Sequence, residues 1–252
     1  MSNIEILKSR KSVRSFGSSP ISDSLRRTLQ SEATFVNSHE SGLSFRVVFD
    51  DDAPFRGIGR SYGMFRGVNN YLAVVIDPTF PHTMERTGYF AQQWVMEALK
   101  IGISTCFVGG TFSASHVETI VEVYEKIPFV IVFGTAEEAR TPMVAKIAMA
   151  MVHNKKRTPR DFFDGSDSEF ESAKKNIKWL ETALEAVACA PSALNKQPVR
   201  LKPVETAEGW TVSVHTINPG SNAIELGIAK FNVAFAVGGS WEWGENALFL
   251  PE

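Results

Sequence analysis

Cysteine is scarce in this 252-residue chain: only Cys106 and Cys189 occur, far apart and with apolar neighbours on one or both sides. That excludes a disulfide framework and a CxxC zinc site, and it fits a reducing compartment. Neither sign of charge dominates. The 26 Lys+Arg and 28 Asp+Glu give a formal charge of −2, so no global positive field exists to displace phosphate counterions from nucleic acid. Long apolar runs are missing, and a run such as Tyr71–Ile76 is far too short to span a bilayer. The opening Met1-Ser2-Asn3-Ile4-Glu5 lacks a basic stretch followed by an apolar core, so no signal peptide is expected. The five histidines (His39, His82, His116, His153, His215) are dispersed without ligand spacing, so no metal site is expected. GxGxxG after the first strand, GxxxxGKS/T, HExxH and GxSxG are all lacking. These absences leave a soluble, cytoplasmic protein with no nucleic-acid, membrane or metal partner.

What is present is a packed globular composition, 44% hydrophobic and 21% charged. Phe170, Ala173, Ile177, Leu180, Leu184 and Val187 recur in steps of three and four. They predict an amphipathic helix opened by Ser168 with Glu171 and stopped after Ala188 by Pro191. A second helix is expected over Met84–Ile101, with shorter ones at Asp23–Glu32, Ser115–Glu125 and Ala223–Ala236. Runs of Val, Ile and Phe predict strands at Phe45–Phe49, Tyr71–Ile76, Ser104–Val108, Phe129–Phe133, Val199–Val204 and Thr211–His215. Strands and helices interleave, so the class is α/β or α+β. The stretch Asp50–Asn70, rich in Gly, Pro and Arg, reads as a long loop. Trp241 and Trp243 alternate in a short terminal hairpin, as core or lid packing or as a stacking surface.

Two strings resemble each other. Arg10-Lys11-Ser12-Val13-Arg14-Ser15-Phe16 and the stretch Lys155-Lys156-Arg157-Thr158-Pro159-Arg160-Asp161-Phe162 both read basic, basic, hydroxyl, x, Arg, x, Phe. Each precedes an acidic helix start, a turn and a strand. An internal duplication follows, with halves at residues 1–154 and 155–252.

Three constellations could carry chemistry. In an extended stretch Arg10, Ser12 and Arg14 project to one side, a match for phosphate or another anion, or else a solvated basic turn. Ala190-Pro191-Ser192-Ala193-Leu194-Asn195-Lys196-Gln197-Pro198 presents two amides that can read a heterocycle edge, or is a plain helix-stop turn. Gly102 to Gly110 is a short apolar strand, including Phe107 and Val108, that ends in Gly109-Gly110. Its paired glycines let backbone N–H groups approach a planar ligand, or simply end a strand. Cys106 reads as packing, with no His or cation to activate it.

Together these motifs resemble the FMN-dependent nitroreductase family. The first string is similar to its R-R-S-x-R-x-F/Y, the second to its A-P-S-x-x-N-x-Q-P, the third to its strand with a double glycine. The distance of about 180 residues between the basic string and Pro191 resembles the subgroup in which two half-domains are fused. The resemblance covers most of the chain, although Asp50–Asn70 aligns poorly. It implies an α+β fold of two fused halves, each an antiparallel-rich sheet with flanking helices, forming an internal pseudo-dimer able to act as a monomer. It implies one FMN between the halves, because the first half's counterpart turn, Ala33-Thr34-Phe35-Val36-Asn37, has lost its prolines and Gln while the second half has no double glycine at the matching place. The implied cofactor residues are Arg10, Lys11, Ser12, Arg14, Phe107, Val108, Gly109, Gly110, Lys155, Arg157, Pro191, Ser192, Ala193, Asn195 and Gln197. Arg10 with Lys155 or Arg157 is expected at the phosphate, Arg14 at flavin N1 and the C2 carbonyl, and the Val108–Gly110 backbone near N5. NADH or NADPH would reduce the flavin and a small-molecule acceptor, a nitro compound or quinone, would reoxidise it, with no catalytic acid or base from the protein. Flavin storage or sensing without turnover, or another flavin enzyme of this fold, is the alternative.

Overall fold

β-Branched and aromatic runs build two four-stranded antiparallel sheets, and the helices between them are set by amphipathic spacing. The computed structural model describes residues 1–56, 63–117, 122–137, 141–152 and 157–252. In chain order the helices are α1 (Asn3–Ser9), α2 (Asp23–His39), α3 (Thr83–Lys100), α4 (Met143–Val152), α5 (Asp167–Asn176), α6 (Leu180–Ala188) and α7 (Ala223–Val237). The strands are β1 (Leu43–Val48), β2 (Tyr71–Ile76), β3 (Ser104–Val108), β4 (Lys126–Gly134), β5 (Val199–Thr206), β6 (Gly209–Thr216), β7 (Gly239–Trp241) and β8 (Ala247–Pro251). The chain forms two compact units: a first of Lys11–Thr83 and Gln93–Asn154, and a second of Met1–Arg10, Met84–Gln92 and Lys155–Glu252.

The first unit holds the sheet ordered β1-β2-β4-β3. Its central strand β2 is buried at all six positions, as its unbroken Tyr-Leu-Ala-Val-Val-Ile requires. Val13, Phe16, Phe55, Tyr71, Cys106 and Val132 belong to one apolar cluster beside it. Ser22 caps α2, accepting from the Leu25 N–H. Trp94 on α3 is buried and donates its indole N–H to the Leu29 carbonyl at 3.1 Å, tying α3 to α2.

The second unit repeats that plan with the order β5-β6-β8-β7. In both sheets the chain's first, second, fourth and third strands lie side by side, every pair antiparallel. In both, helix precedes the first strand and a long helix, α3 or α7, joins the second strand to the third. Helix α7 is apolar nearly all round, and residues 226–233 are buried, as expected of a helix enclosed by its unit. Gly88 and Gly227 let α3 and α7 cross at backbone distance. A Cβ on Gly227 would overlap the Glu85 carbonyl, and one on Gly88 the Ile224 carbonyl.

Three expected elements differ. The helix expected over residues 168–188 is two, α5 and α6, because the chain turns extended at Ile177. The capping box is Ser166 with Glu169 instead of Ser168 with Glu171; Ser-Asp-Ser-Glu offers both registers, and the Glu169 carboxylate closes on the Ser166 N–H at 2.7 Å. The helix expected at Ser115–Glu125 lies in part (118–121) outside the described residues, and those on either side show a 3-10 turn at Ala114–His116 and β4 starting at Lys126. The apolar α4 was read only as linker.

Candidate functional site

In the first unit the basic string is extended, and it lies beside the strand that ends in the double glycine. Ser12 bridges Thr105 of β3 in parallel, and the Val13 N–H donates to the Thr105 carbonyl at 3.0 Å. Alternation then sorts the side chains: Val13 and Ser15 are buried, while Ser12 and Arg14 are half-buried on the other side and Lys11 is exposed. The Arg14 backbone is held by the Arg66 N–H at 3.0 Å. Its side chain is not satisfied in the same way. Arg14 Nε is buried and has no hydrogen-bond partner among the described residues. Such a guanidinium suits an acceptor that the described residues do not supply.

Strand β3 leads to Gly109 and Gly110. Both are exposed, and a Cβ on either would meet no atom within 4 Å. Among the described residues, nothing closes off the space above this backbone. Val108 is buried and Phe107 is half-buried with its ring 5.4 Å from Phe129, so these two hold the strand end while the glycines face outward. Cys106 is buried, with its Sγ directed at the Phe107 carbonyl, which is packing geometry.

In the second unit, α6 ends at Ala188, and Pro191 prevents its continuation. The following turn is unusual. Leu194, Asn195 and Gln197 have φ values of 51°, 52° and 47°, in the left-handed region that disfavours side chains. Each such residue costs about 1–3 kcal/mol, most for Leu194, and persists only where surroundings over-determine it. Here the surroundings are Ser192 Oγ, accepting from the Gln197 N–H at 2.8 Å, and the Ala188 carbonyl, accepting from the Gln197 side-chain amide at 2.9 Å. Glu225 on the first turn of α7 accepts from the Ala193 N–H at 3.2 Å. The Gln197 N–H₂ thus closes the helix end, and Asn195 is half-buried. Pro191 and Ser192 are half-buried; Ala193 is exposed.

Arg10 caps the end of α1, its N–H donating to the Leu7 carbonyl. It lies near Cys189, at the start of the same turn; burial pushes the Cys189 thiol up, against the opposing pull of Lys8 and Arg10. Arg157 donates to the Gln197 carbonyl at 2.8 Å, so it too is brought to this turn. Lys155 lies outside the described residues. Sequence reasoning missed two neighbours. Arg200 on β5 also donates to the Gln197 carbonyl, at 3.0 Å, and Glu225 has no sequence signal at all.

The counterparts in the two halves are committed elsewhere. Ala33–Asn37 runs inside α2, and the Asn37 amide clasps the Phe45 N–H and carbonyl at 2.6 and 2.9 Å. In the second string, Thr158 bonds Asp161, while Arg160 bonds Asp167 and the Phe163 and Gly165 carbonyls and lies over the Phe163 and Phe170 rings. Arg160 is thus engaged, where Arg14 Nε has no partner among the described residues. No group of His, Cys, Asp and Glu among the described residues is placed to hold a metal ion. No described helix is long and apolar enough to cross a membrane.

A family model described as "Putative TM nitroreductase" matches residues 3–237 of the chain. Among solved structures, a "putative nitroreductase" of Thermotoga maritima MSB8 is similar at 17% identity and a TM-score of 0.63, covering 100% of this chain and 94% of that one. A nitroreductase with bound FMN from Desulfitobacterium hafniense DCB-2 is 18% identical with a TM-score of 0.44, over 56% of this chain and 93% of its own. The ydfN protein of Bacillus subtilis is 13% identical with a TM-score of 0.47, over 64% and 97%. No curated protein sequence matches.

Proposed function

The chain belongs to the TM nitroreductase family, and from that premise we propose that it is an FMN-dependent oxidoreductase that takes electrons from NADH or NADPH and passes them to nitro compounds, quinones or similar small acceptors. One observation carries the cofactor assignment: Arg14 keeps a buried Nε without a partner among the described residues, on a stretch hydrogen-bonded to the strand that ends in the open Gly109–Gly110.

FMN, when bound, supplies the electron chemistry. The polypeptide holds and tunes it. Arg10 and Arg157, with Lys155, supply cations for the phosphate, and Ser12 a hydroxyl. Arg14 supplies a fixed positive charge for the end of the ring where reduction leaves negative charge, which favours the reduced form. Lys11, Phe107, Val108, Pro191, Ser192 and Ala193 line or support the site, Gly109 and Gly110 offer backbone N–H groups, and Asn195 and Gln197 belong to the turn that faces the ring. No side chain here is needed as a catalytic acid or base. The chain carries one FMN and works in the cytoplasm as a monomer, because the duplicated halves stand in for the two subunits of a dimer.

The test is reconstitution of the full-length chain with FMN, followed by NADH or NADPH oxidation with a nitroaromatic or quinone acceptor. A yellow protein that consumes reduced nicotinamide only when an acceptor is present supports the assignment. A chain that retains no flavin overturns it, and one that binds flavin without turnover is a binding protein instead.

A further inference from the structure

Two arginines in the second unit share one acceptor. Arg157 precedes the 3-10 turn Pro159–Phe162, and Arg200 is the second residue of β5. The Nη1 of each donates to the Gln197 carbonyl, at 2.8 and 3.0 Å, and Arg200 Nη1 also reaches the Val199 carbonyl at 2.7 Å. Those are the side-chain hydrogen bonds the two guanidiniums make to the described residues, although each guanidinium carries five N–H donors. The Arg200 guanidinium carbon lies over the Phe162 ring, 5.5 Å from its centroid. Both side chains are half-buried, so two like charges are gathered at one oxygen in partial contact with water.

Two carboxylates lie near this pair, and each has another partner. Asp161 is held by the Thr158 N–H and hydroxyl at 2.6 and 2.9 Å. Asp164 lies 3.5 Å from His215, which is the cross-strand partner of Arg200. Burial first, and Arg157 second, lower the Arg200 pKa, outweighing the pull of Asp161 and Asp164 in the other direction. Two guanidiniums held in a fork beside a strained turn, with donors to spare, match the oxygens of a dianion.

We propose that Arg200 and Arg157 form a clamp for a phosphate monoester, with the Gln197 carbonyl setting the spacing of the two guanidiniums. The clamp rests in part on the flavin reading above, which has already placed Arg157 at the FMN phosphate, and it adds Arg200 as the second guanidinium. The same chemistry could come from the 2′-phosphate of NADPH.

The experiment compares the full-length chain with Arg200→Gln and Arg157→Gln, each first shown to melt cooperatively. Arg200→Lys serves as a second variant that keeps the strand and the charge but loses the fork. Each is titrated with FMN, riboflavin and inorganic phosphate, and KM is measured for NADPH and NADH. Loss of one charge-assisted contact should weaken FMN by about tenfold and leave riboflavin nearly unchanged, so that the FMN-to-riboflavin preference collapses. If that preference holds and the NADPH-to-NADH preference collapses instead, the clamp is real and serves the dinucleotide. Stabilisation of the unmutated chain by inorganic phosphate at constant ionic strength, lost in both Gln variants, supports the clamp even if the chain binds no flavin; that result would sink the flavin reading alone. The proposal is overturned if FMN and riboflavin weaken equally, or if both preferences and the phosphate response are unchanged in the Arg200 variants.

Discussion

Arg14 and Gly109 are where single atoms decide the account. A charge-assisted hydrogen bond contributes about 1.5–3 kcal/mol, which for a two-electron couple is about 30–60 mV. Arg14→Ala, compared at saturating FMN, should therefore lower the flavin midpoint potential by about that amount and slow reduction by NAD(P)H. An unchanged potential on potentiometry would make Arg14 an ordinary surface charge. Gly109 gives a complementary test. Its φ is not positive and a Cβ there meets no atom of the described residues within 4 Å, so these tolerate a side chain. Gly109→Val should leave the circular dichroism spectrum and melting temperature nearly unchanged while abolishing turnover, because the β-branched side chain occupies the space claimed for the ring. Normal turnover in that variant would locate the flavin elsewhere. The residue types of both were legible in sequence because spacing exposes them. Arg200 and the buried Lys230 were not. Lys230 on α7 is fully buried against Glu85 and bonds the Glu242 and Gly244 carbonyls at 2.8 and 2.9 Å, yet a lysine in a helix reads as a surface residue until its partner is known.

Elements were legible where periodicity was long and illegible where it was interrupted by one residue. The stretch 168–188 keeps helical spacing throughout, so nothing in it announces the turn at Ile177–Trp179; buried Ile177 and Leu180 serve two helices while obeying the period of one. The start of α5 offers a pH test. The Glu169 carboxylate accepts from the Ser166 N–H and hydroxyl at 2.7 Å each, and these bonds hold its pKa below the ordinary value of 4.5. A carboxylate with a lowered folded pKa stabilises fully above its unfolded value and loses that contribution as pH falls through the folded one. Glu169→Gln should thus melt lower than the parent at neutral pH, with the gap narrowing as pH drops below 4.5. A gap independent of pH would assign the cap to hydrogen bonding that does not need the charge.

At the scale of the whole chain, the sequence offers one matched heptapeptide as the sign of a duplication, and the two sheets have the same strand order. Sequence could not show that residues 1–10 and 84–92 belong with 155–252. A cut near residue 150 would therefore strip the second unit of α1 and part of α3, and an isolated half is a poor test. The duplication instead makes a claim about number. Among the described residues, Arg160 is spent on Asp167 and two carbonyls, and Asn37 on Phe45, whereas Arg14 Nε has no hydrogen-bond partner and the Asn195 side chain is not so engaged. Calorimetric titration of the apo full-length chain with FMN should saturate at one equivalent per chain, with no second binding event at higher concentration. Two equivalents per chain, or none, would contradict the claim that divergence of the two halves left this protein a single flavin site.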